Sequence, residues 1–365
     1  MSTRRLKVVL GANSTYDIRI GSRLLVNLGV HLREVTKATK AVVITDSNVG
    51  PLYFKKVKAG LEKADFEVFE LTIPAGESSK SVAVAAELWD ALSMLGIDRS
   101  DIIVGLGGGV VGDIAGFVAS TYLRGIDCAQ VPTTLLAMVD SSIGGKTAIN
   151  LKSGKNLVGS FKQPVYVAAD LETLTTLPNA EWENGYAEIA KSALIGGGNF
   201  HTWLTNNADV LIAHDEATVQ QAIVQALTFK AGVVAKDELE KGPRECLNYG
   251  HTFAHALEAQ SDLRIPHGRA VAEGMRFAAR LGVEAIRLPE DFVKAQDDLL
   301  NKLQIKPVDE AFSADNLFQR LFTDKKARNH ELRFVFISAP GTWKTVAVDP
   351  DLVKIYLILW EQSKM

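Results

Sequence analysis

Only two cysteines, Cys128 and Cys246, occur in 365 residues, far apart and with one of them inside a strand-like segment. That usage speaks against a disulfide framework. Excess charge is equally scarce: 40 Lys and Arg are mixed with 43 Asp and Glu, for a formal net charge of -3. The chain therefore has no electrostatic footprint for nucleic acid or an anionic membrane surface, and any anion must be met by local clusters. No segment reaches the roughly 18 uninterrupted apolar residues of a membrane span. The opening MSTRRLKVVLGANSTYDI has basic residues but no apolar run of signal-peptide length, so a cytoplasmic protein is expected. Internal repeats, low-complexity tracts and long Gly/Ser linkers are also missing. Two halves packed closely around one cleft are expected, and ligand sites favour such clefts.

A chain this long, 47% hydrophobic, exceeds the usual size of one core, so two domains are the default. Over residues 1–178, short apolar runs alternate with helical patterns: AVVITD (41–46), FEVFELTIP (66–74), IIVGLGG (102–108), AQVPTTLL (129–136) and VYVAAD (165–170). That rhythm reads as βαβ units, and runs apolar on both faces suit a parallel sheet covered by helices such as SKSVAVAAELWDALSML (79–95). Over residues 179–365 strand signals become rare until LRFVFISA (332–339), while ENGYAEIAKSALI and ATVQQAIVQALTFKAGVVAK read helical throughout. The expectation is an α/β nucleotide-binding domain with a parallel sheet, followed by a mostly α-helical metal- and substrate-binding domain.

The segment GLGGGVVGD (105–113) follows an apolar strand and opens a helix, and Gly107, Gly109 and Gly112 satisfy G-x-G-x-x-G. Missing β-carbons let a backbone approach a pyrophosphate, and a helix N-terminus offers free amides. The plainer reading is a tight turn that binds nothing. Because the turn comes about 100 residues in rather than at the first strand, Asp46 with Asn48 and Glu77 with Lys80 become candidates for the adenosine end; each also reads as a cap or a solvated charge. SSIGGKTA (141–148) resembles the end of a phosphate loop, but Asp140 replaces the required first glycine, so a Walker A reading fails. Lys146, Lys155 and Asn156 remain as an anion-binding strip or a solvated basic loop.

Three of seven histidines, His251, His255 and His267, fall within NYGHTFAHALEAQSDLRIPHG. In a continuous helix Arg244, Asn248, His251 and His255 would share a band about 60° wide at 3.6 residues per turn. Four buried polar groups on one face would each lose about 1–3 kcal/mol of hydration without partners. A metal site fits such a face, a pair of hydrogen-bonded core histidines being the alternative. Glu188 can supply a carboxylate, with Lys191 one turn further on.

The strings GGGVVGDIAGF, STYLRG, VPTTLLAMVDSSIGGKTAIN, GKNLVGSF, AEIAK, RECLNYGHTFAHALE and HGRAVAEGM together resemble the 3-dehydroquinate synthase family of sugar-phosphate cyclases, over nearly the whole chain. The resemblance implies conversion of 3-deoxy-D-arabino-heptulosonate 7-phosphate to 3-dehydroquinate and phosphate. The steps would be transient oxidation by NAD, phosphate elimination, re-reduction, ring opening and aldol closure. It implies that Glu188, His251 and His267 hold zinc, or cobalt in its place, and that His255 does not, although spacing alone would nominate the i, i+4 pair. It carries cofactor contacts onto Asp46, Asn48, Glu77, Lys80, Gly108, Gly109, Asp113, Thr133, Thr134, Asp140, Lys155, Thr173 and Thr176. Substrate contacts fall on Lys146, Asn156, Lys191, Lys230, Arg244, Asn248 and His255, with the phosphate met also by Lys325 or Lys326. Arg124 would reach the phosphate site of a neighbouring subunit in a homodimer. One departure is Arg269, where the family usually has an acidic residue after His-Gly; it could perturb the surroundings of His267 or merely alter a surface ion pair.

Three rivals stand beside this reading. Other cyclases, of the 2-epi-5-epi-valiolone or 2-deoxy-scyllo-inosose type, share zinc and NAD, but Arg244, Asn248 and His255 favour a carboxylate-bearing substrate. Metal-dependent alcohol or glycerol dehydrogenases lack the lysine-rich phosphate set. A non-catalytic binding protein on this fold would show a lost metal ligand or glycine turn, and neither is lost.

Overall fold

Alternate residues of the inner strands enter two different hydrophobic clusters, which is what a sheet covered on both faces requires. Ala41, Val43, Val104 and Val131 belong to one cluster; Val42, Ile44, Ile103 and Cys128 belong to the other. Side chains alternate across a strand, so runs without polar residues demand cover on both sides. In the computed structural model, residues 2–10, 14–325 and 331–365 are described, the side chains of 14 and 323–325 excepted.

The strands of the first half are β1 (Arg4–Leu10), β2 (Ser14–Gly21), β3 (Lys40–Asp46), β4 (Glu67–Ile73), β5 (Ile102–Gly107), β6 (Asp127–Pro132), β7 (Lys146–Leu151), β8 (Gly154–Phe161) and β9 (Tyr166–Asp170). Seven form one sheet in the order β1, β2, β9, β6, β5, β3, β4, parallel throughout except for the β1 and β2 edge pair. One cluster takes its cover from α1 (Leu28–Arg33) and α2 (Gly50–Glu62), the other from α3 (Val82–Met94) and α4 (Gly109–Thr121). The Ser81 hydroxyl caps α3 by accepting from the Val84 amide. β7 and β8 pair as a separate antiparallel hairpin, where the sequence suggests only a glycine-rich loop.

The second half contains α5 (Asn179–Gly196), α6 (Gly198–Ile212), α7 (Glu216–Lys236), α8 (His251–Gln260), α9 (His267–Ile286), α10 (Glu290–Lys302), α11 (Ala314–Lys325), a hairpin of β10 (Arg333–Ala339) and β11 (Thr342–Ala347), and α12 (Pro350–Gln362). Unit 1 comprises Met1–Glu181 and Ile223–Leu239, and unit 2 comprises Trp182–Ala222 and Glu240–Met365. The division is thus not a single cut after residue 178, since most of α7 groups with the first unit. In unit 2, Phe253 on α8 stacks on Phe277 of α9 with ring centroids 4.4 Å apart and meets Trp360 of α12 edge-on at 5.3 Å. Buried Glu273 of α9 accepts from Trp360 Nε1 at 2.6 Å and from the Val308 amide at 3.2 Å, and it pairs with Lys364 Nζ at 2.9 Å.

Among the described residues, no helix is long and apolar enough to cross a membrane. Both cysteines are free and buried, and burial pushes the Cys128 thiol up to about 12 and the Cys246 thiol up to about 11. Neither is a ready nucleophile. Phe253→Ala should cost about 3–5 kcal/mol by opening a cavity where α8, α9 and α12 meet; a urea denaturation midpoint checks it, and a loss under about 1 kcal/mol would mean the rings do not hold these helices.

Candidate functional site

Within unit 2, the Glu188 Oε1 atom lies 3.8 Å from His251 Nε2 and 3.7 Å from His267 Nε2. The three ligand atoms all fall within 4.8 Å of one another. Zinc bonds of about 2.1 Å in tetrahedral array place ligand atoms roughly 3.4 Å apart, so only a small contraction is needed. Glu188 is 1% exposed, and its Oε1 has no hydrogen-bond donor among the described residues; Oε2 pairs with Lys191 Nζ at 2.5 Å. A buried carboxylate oxygen without a donor is costly, and a bound cation would remove that cost.

Both histidines present the correct nitrogen. His251 Nδ1 donates to the Tyr249 carbonyl at 3.2 Å, which leaves the Nε2 lone pair facing Glu188. Burial holds the His251 pKa well below its ordinary value, aided by Lys191, His267 and His255, so the ring is neutral and can ligate. His267 Nδ1 stands 3.3 Å from Glu258 Oε1, and because a carboxylate only accepts, its Nε2 is likewise left for a metal. The donor set fits a divalent metal.

The continuous helix expected over Arg244 to His255 does not form. Pro243–Asn248 is a 3-10 turn, Tyr249 is extended in ψ, and Gly250 is left-handed at φ 80°, so α8 starts afresh at His251. That break lets α8 cross α9 at a distance only glycine allows. A β-carbon on Gly274 would sit 1.9 Å from the Gly250 carbonyl oxygen, and one on Gly268 would sit 2.4 Å from the Asn184 backbone. Asn184 of α5 also accepts from the Gly268 amide at 2.9 Å, one residue past His267 and four before Glu188. Asn184 and Glu258 are site residues that the sequence reading missed.

Arg244, the expected neighbour of this cluster, is buried at 2% exposure, and Lys191 likewise at 2%. Asn248 donates to Glu240 Oε1 at 2.9 Å. His255 stands edge-on to His251, ring centroids 5.5 Å apart, outside the three-residue set. Arg269 turns away: it donates to the Pro307 and Lys306 carbonyls and pairs with Asp309 at 3.1 Å, so the departure is a surface contact. Lys325 and Lys326 lie outside the residues whose side chains are described.

In unit 1, Lys80 is the hub. Its Nζ donates at 2.6 Å to Asp113 Oδ2 and at 2.6 Å to Asn156 Oδ1, and lies 3.6 Å from Glu77 Oε1, while Lys155 Nζ is 3.9 Å from that same oxygen. Burial pulls the Lys80 ammonium down, but the Asp113 and Glu77 carboxylates outweigh it and hold its pKa above the ordinary value. Asn150, absent from the sequence candidates, joins them by donating to Glu77 at 2.8 Å. The turn after β5 runs through Gly108 into α4 with no side-chain cap on the helix, and a helix N-terminus of this kind suits an anion. Gly112 serves packing: Gln130 Oε1 would meet its β-carbon at 2.9 Å.

Thr133 donates its amide to the Gly107 carbonyl, and its buried hydroxyl has no hydrogen-bond partner among the described residues. Thr134 accepts from the Ala137 amide. Asp46 accepts from the Asn48 and Val49 amides, the local cap that sequence allowed. Thr173 and Thr176 are engaged by the Asp170 carbonyl and the Tyr53 hydroxyl. Lys230 Nζ donates to Asp140 Oδ1 and to its carbonyl, each at 2.7 Å. Lys146 and Arg124 are exposed.

Fold and site together define an enzyme of the sugar-phosphate cyclase class. A family model for the 3-dehydroquinate synthase N-terminal part matches residues 70–184, and one for its C-terminal part matches residues 185–327. The 3-dehydroquinate synthase of Caulobacter vibrioides is 43% identical over 99% of each chain, and that of Symbiobacterium thermophilum is 42% identical over 92% of this chain and 94% of its own. Among solved structures, 2-deoxy-scyllo-inosose synthase complexed with carbaglucose-6-phosphate, NAD+ and Co2+ matches with a TM-score of 0.87 and 28% identity, over 98% of this chain and 99% of that one. The chain belongs to the 3-dehydroquinate synthase family.

Gly274→Ala should push α8 from α9, with an overpacking cost of about 1–3 kcal/mol. Thermal melting should show that loss, and zinc affinity by chelator competition should fall at least tenfold; unchanged affinity would mean the helix crossing does not set the ligand spacing.

Proposed function

We propose that this chain converts 3-deoxy-D-arabino-heptulosonate 7-phosphate into 3-dehydroquinate and phosphate, a phosphate-eliminating lyase step of the shikimate pathway to chorismate and the aromatic amino acids. NAD and a divalent metal, zinc or cobalt, are its cofactors. The observation that carries the reading is the set of buried Glu188 with partly buried His251 and His267, with Lys191 and Arg244 buried in the same unit, in a chain 43% identical to a synthase of that name. When bound, the metal supplies Lewis acidity toward a substrate hydroxyl, and NAD supplies a reversible hydride acceptor.

The chain's own residues supply charge and confinement. Lys191 and Arg244 place cations where little water reaches, and a planar guanidinium suits the carboxylate of the heptulosonate. That observation favours the acid over the substrates of sister cyclases. Asn248 and His255, with Lys146, Asn156, Lys230 and Lys325, are assigned to the phosphate end. Gly108, Gly109, Thr133 and Thr134 are assigned with the Lys80 network, Asp46, Asn48, Asp140, Thr173 and Thr176 to NAD. For ring opening and the aldol closure, holding the chain in a reactive shape matters more than further acid or base groups.

A homodimer belongs to this reading. The β7 and β8 hairpin leaves Leu157 58%, Phe161 44% and Leu151 40% exposed, apolar surface that a second copy would cover. Leu123 and Arg124 hold left-handed backbones at φ 48° and 67°, at a cost of about 1–3 kcal/mol each. Arg124, exposed and strained, is assigned to the neighbouring copy's phosphate. Two free buried thiols suit a reducing compartment, and we assign the activity to the cytoplasm.

Phosphate release from the heptulosonate 7-phosphate, with and without NAD and prior chelation, tests the assignment. Release that needs NAD and is abolished by chelation, with no net NADH, is expected; turnover of glucose 6-phosphate or sedoheptulose 7-phosphate instead would move the chain to a sister cyclase. Arg124→Gly should raise or leave unchanged the melting temperature while lowering kcat/KM at least tenfold, and an unchanged kcat/KM would remove Arg124 from the site.

A further inference from the structure

His267 is the least enclosed of the three proposed ligands: its side chain is 32% exposed, against 13% for His251 and 1% for Glu188. It is also the first residue of α9, preceded by Pro266, so no preceding helical turn constrains its ring. The group that meets its inner nitrogen is Glu258, 3% exposed, with Oε1 3.3 Å from His267 Nδ1. Glu258 lies on α8, seven residues after His251, hence two turns along on the same face. One helix therefore carries a ligand and the carboxylate that addresses the ring of another.

We propose that Glu258 is a positioning residue for the metal: it fixes His267 in the Nδ1–H tautomer, aims Nε2 at Glu188 and raises the donor strength of that nitrogen. A carboxylate can only accept from the ring, so the pairing selects a single tautomer. Ligand withdrawal of electron density at Nε2 would make the Nδ1 proton a better donor, so metal and Glu258 reinforce each other. His251 receives the corresponding service from a backbone carbonyl, that of Tyr249, which no substitution removes. Glu258 is thus the point at which side-chain chemistry can alter the site without touching a ligand. The proposal rests on the metal reading above.

The test uses the full-length protein stripped of metal, with Glu258→Gln, Glu258→Ala and Glu258→Asp beside His267→Ala. Zinc and cobalt affinities are measured by chelator competition, and histidine tautomers by long-range proton–nitrogen correlation in the apo protein. The expected affinity losses are about tenfold for Gln and about 100-fold for Ala, with partial recovery in Asp. In the apo protein, His267 should change from one tautomer to a mixture in the Ala variant. Wild-type affinity in Glu258→Ala, or an unchanged tautomer there, overturns the role. If His267→Ala binds metal as tightly as wild type, the metal assignment itself fails, a separate result. Melting temperature identifies any variant that has not folded, and the metal affinity of Glu258→Gln then carries the decision, wild-type affinity there overturning the role.

Discussion

The chemistry of unit 2 depends on backbones that approach more closely than side chains permit. Glu188, His251 and His267 come from three helices, and a metal can use them only if those helices converge within a few ångströms. Gly250 against Gly274, and Gly268 against Asn184, supply that convergence. Hydrogen bonding then sets direction: Asn184 holds the start of α9, while the Tyr249 carbonyl and Glu258 turn the two imidazoles. The resulting cluster leaves a buried carboxylate oxygen without a donor among the described residues, an arrangement that costs stability in the absence of a cation.

Unit 1 solves a different problem with the same economy of parts. Lys80 is nearly buried, yet remains charged because Asp113, Glu77 and Asn156 surround it. These residues come from the 77–80 turn, helix α4 and the β7 and β8 hairpin, so the network ties three segments together. The charges are satisfied internally, beside a helix start of the kind that suits a pyrophosphate.

Much of this was legible from residue order. β3, β5 and β9 announce themselves because strands buried on both faces contain little that is polar. The outer pair, RRLKVVL and STYDIRIG, hides among charges, as edge strands commonly do, and the glycines of the β7 and β8 hairpin mimic a phosphate loop. Periodicity misled at Arg244 to His255, since an unbroken 3.6-residue pattern says nothing of the left-handed Gly250 that interrupts it. The i, i+4 spacing of His251 and His255 nominated a pair, whereas the ligand atoms that lie together are those of Glu188, His251 and His267, and His267 entered through family resemblance. Glu258 stayed invisible because a glutamate within a helix ordinarily reads as a solvated face; its seven-residue separation from His251 was the available clue.

Helix α9 performs two tasks at once. Its first residue is a proposed ligand, and less than two turns later Glu273 takes hydrogen bonds or charge from Trp360, Val308 and Lys364. The closing segment of the chain therefore works as a distant counterweight to the metal centre. A tag, truncation or fusion that disturbs Trp360 and Lys364 would leave buried Glu273, on the helix that presents His267, with only the Val308 amide and the more distant Arg276 as partners among the described residues. Engineering at the carboxyl terminus of this protein therefore touches the helix that presents His267.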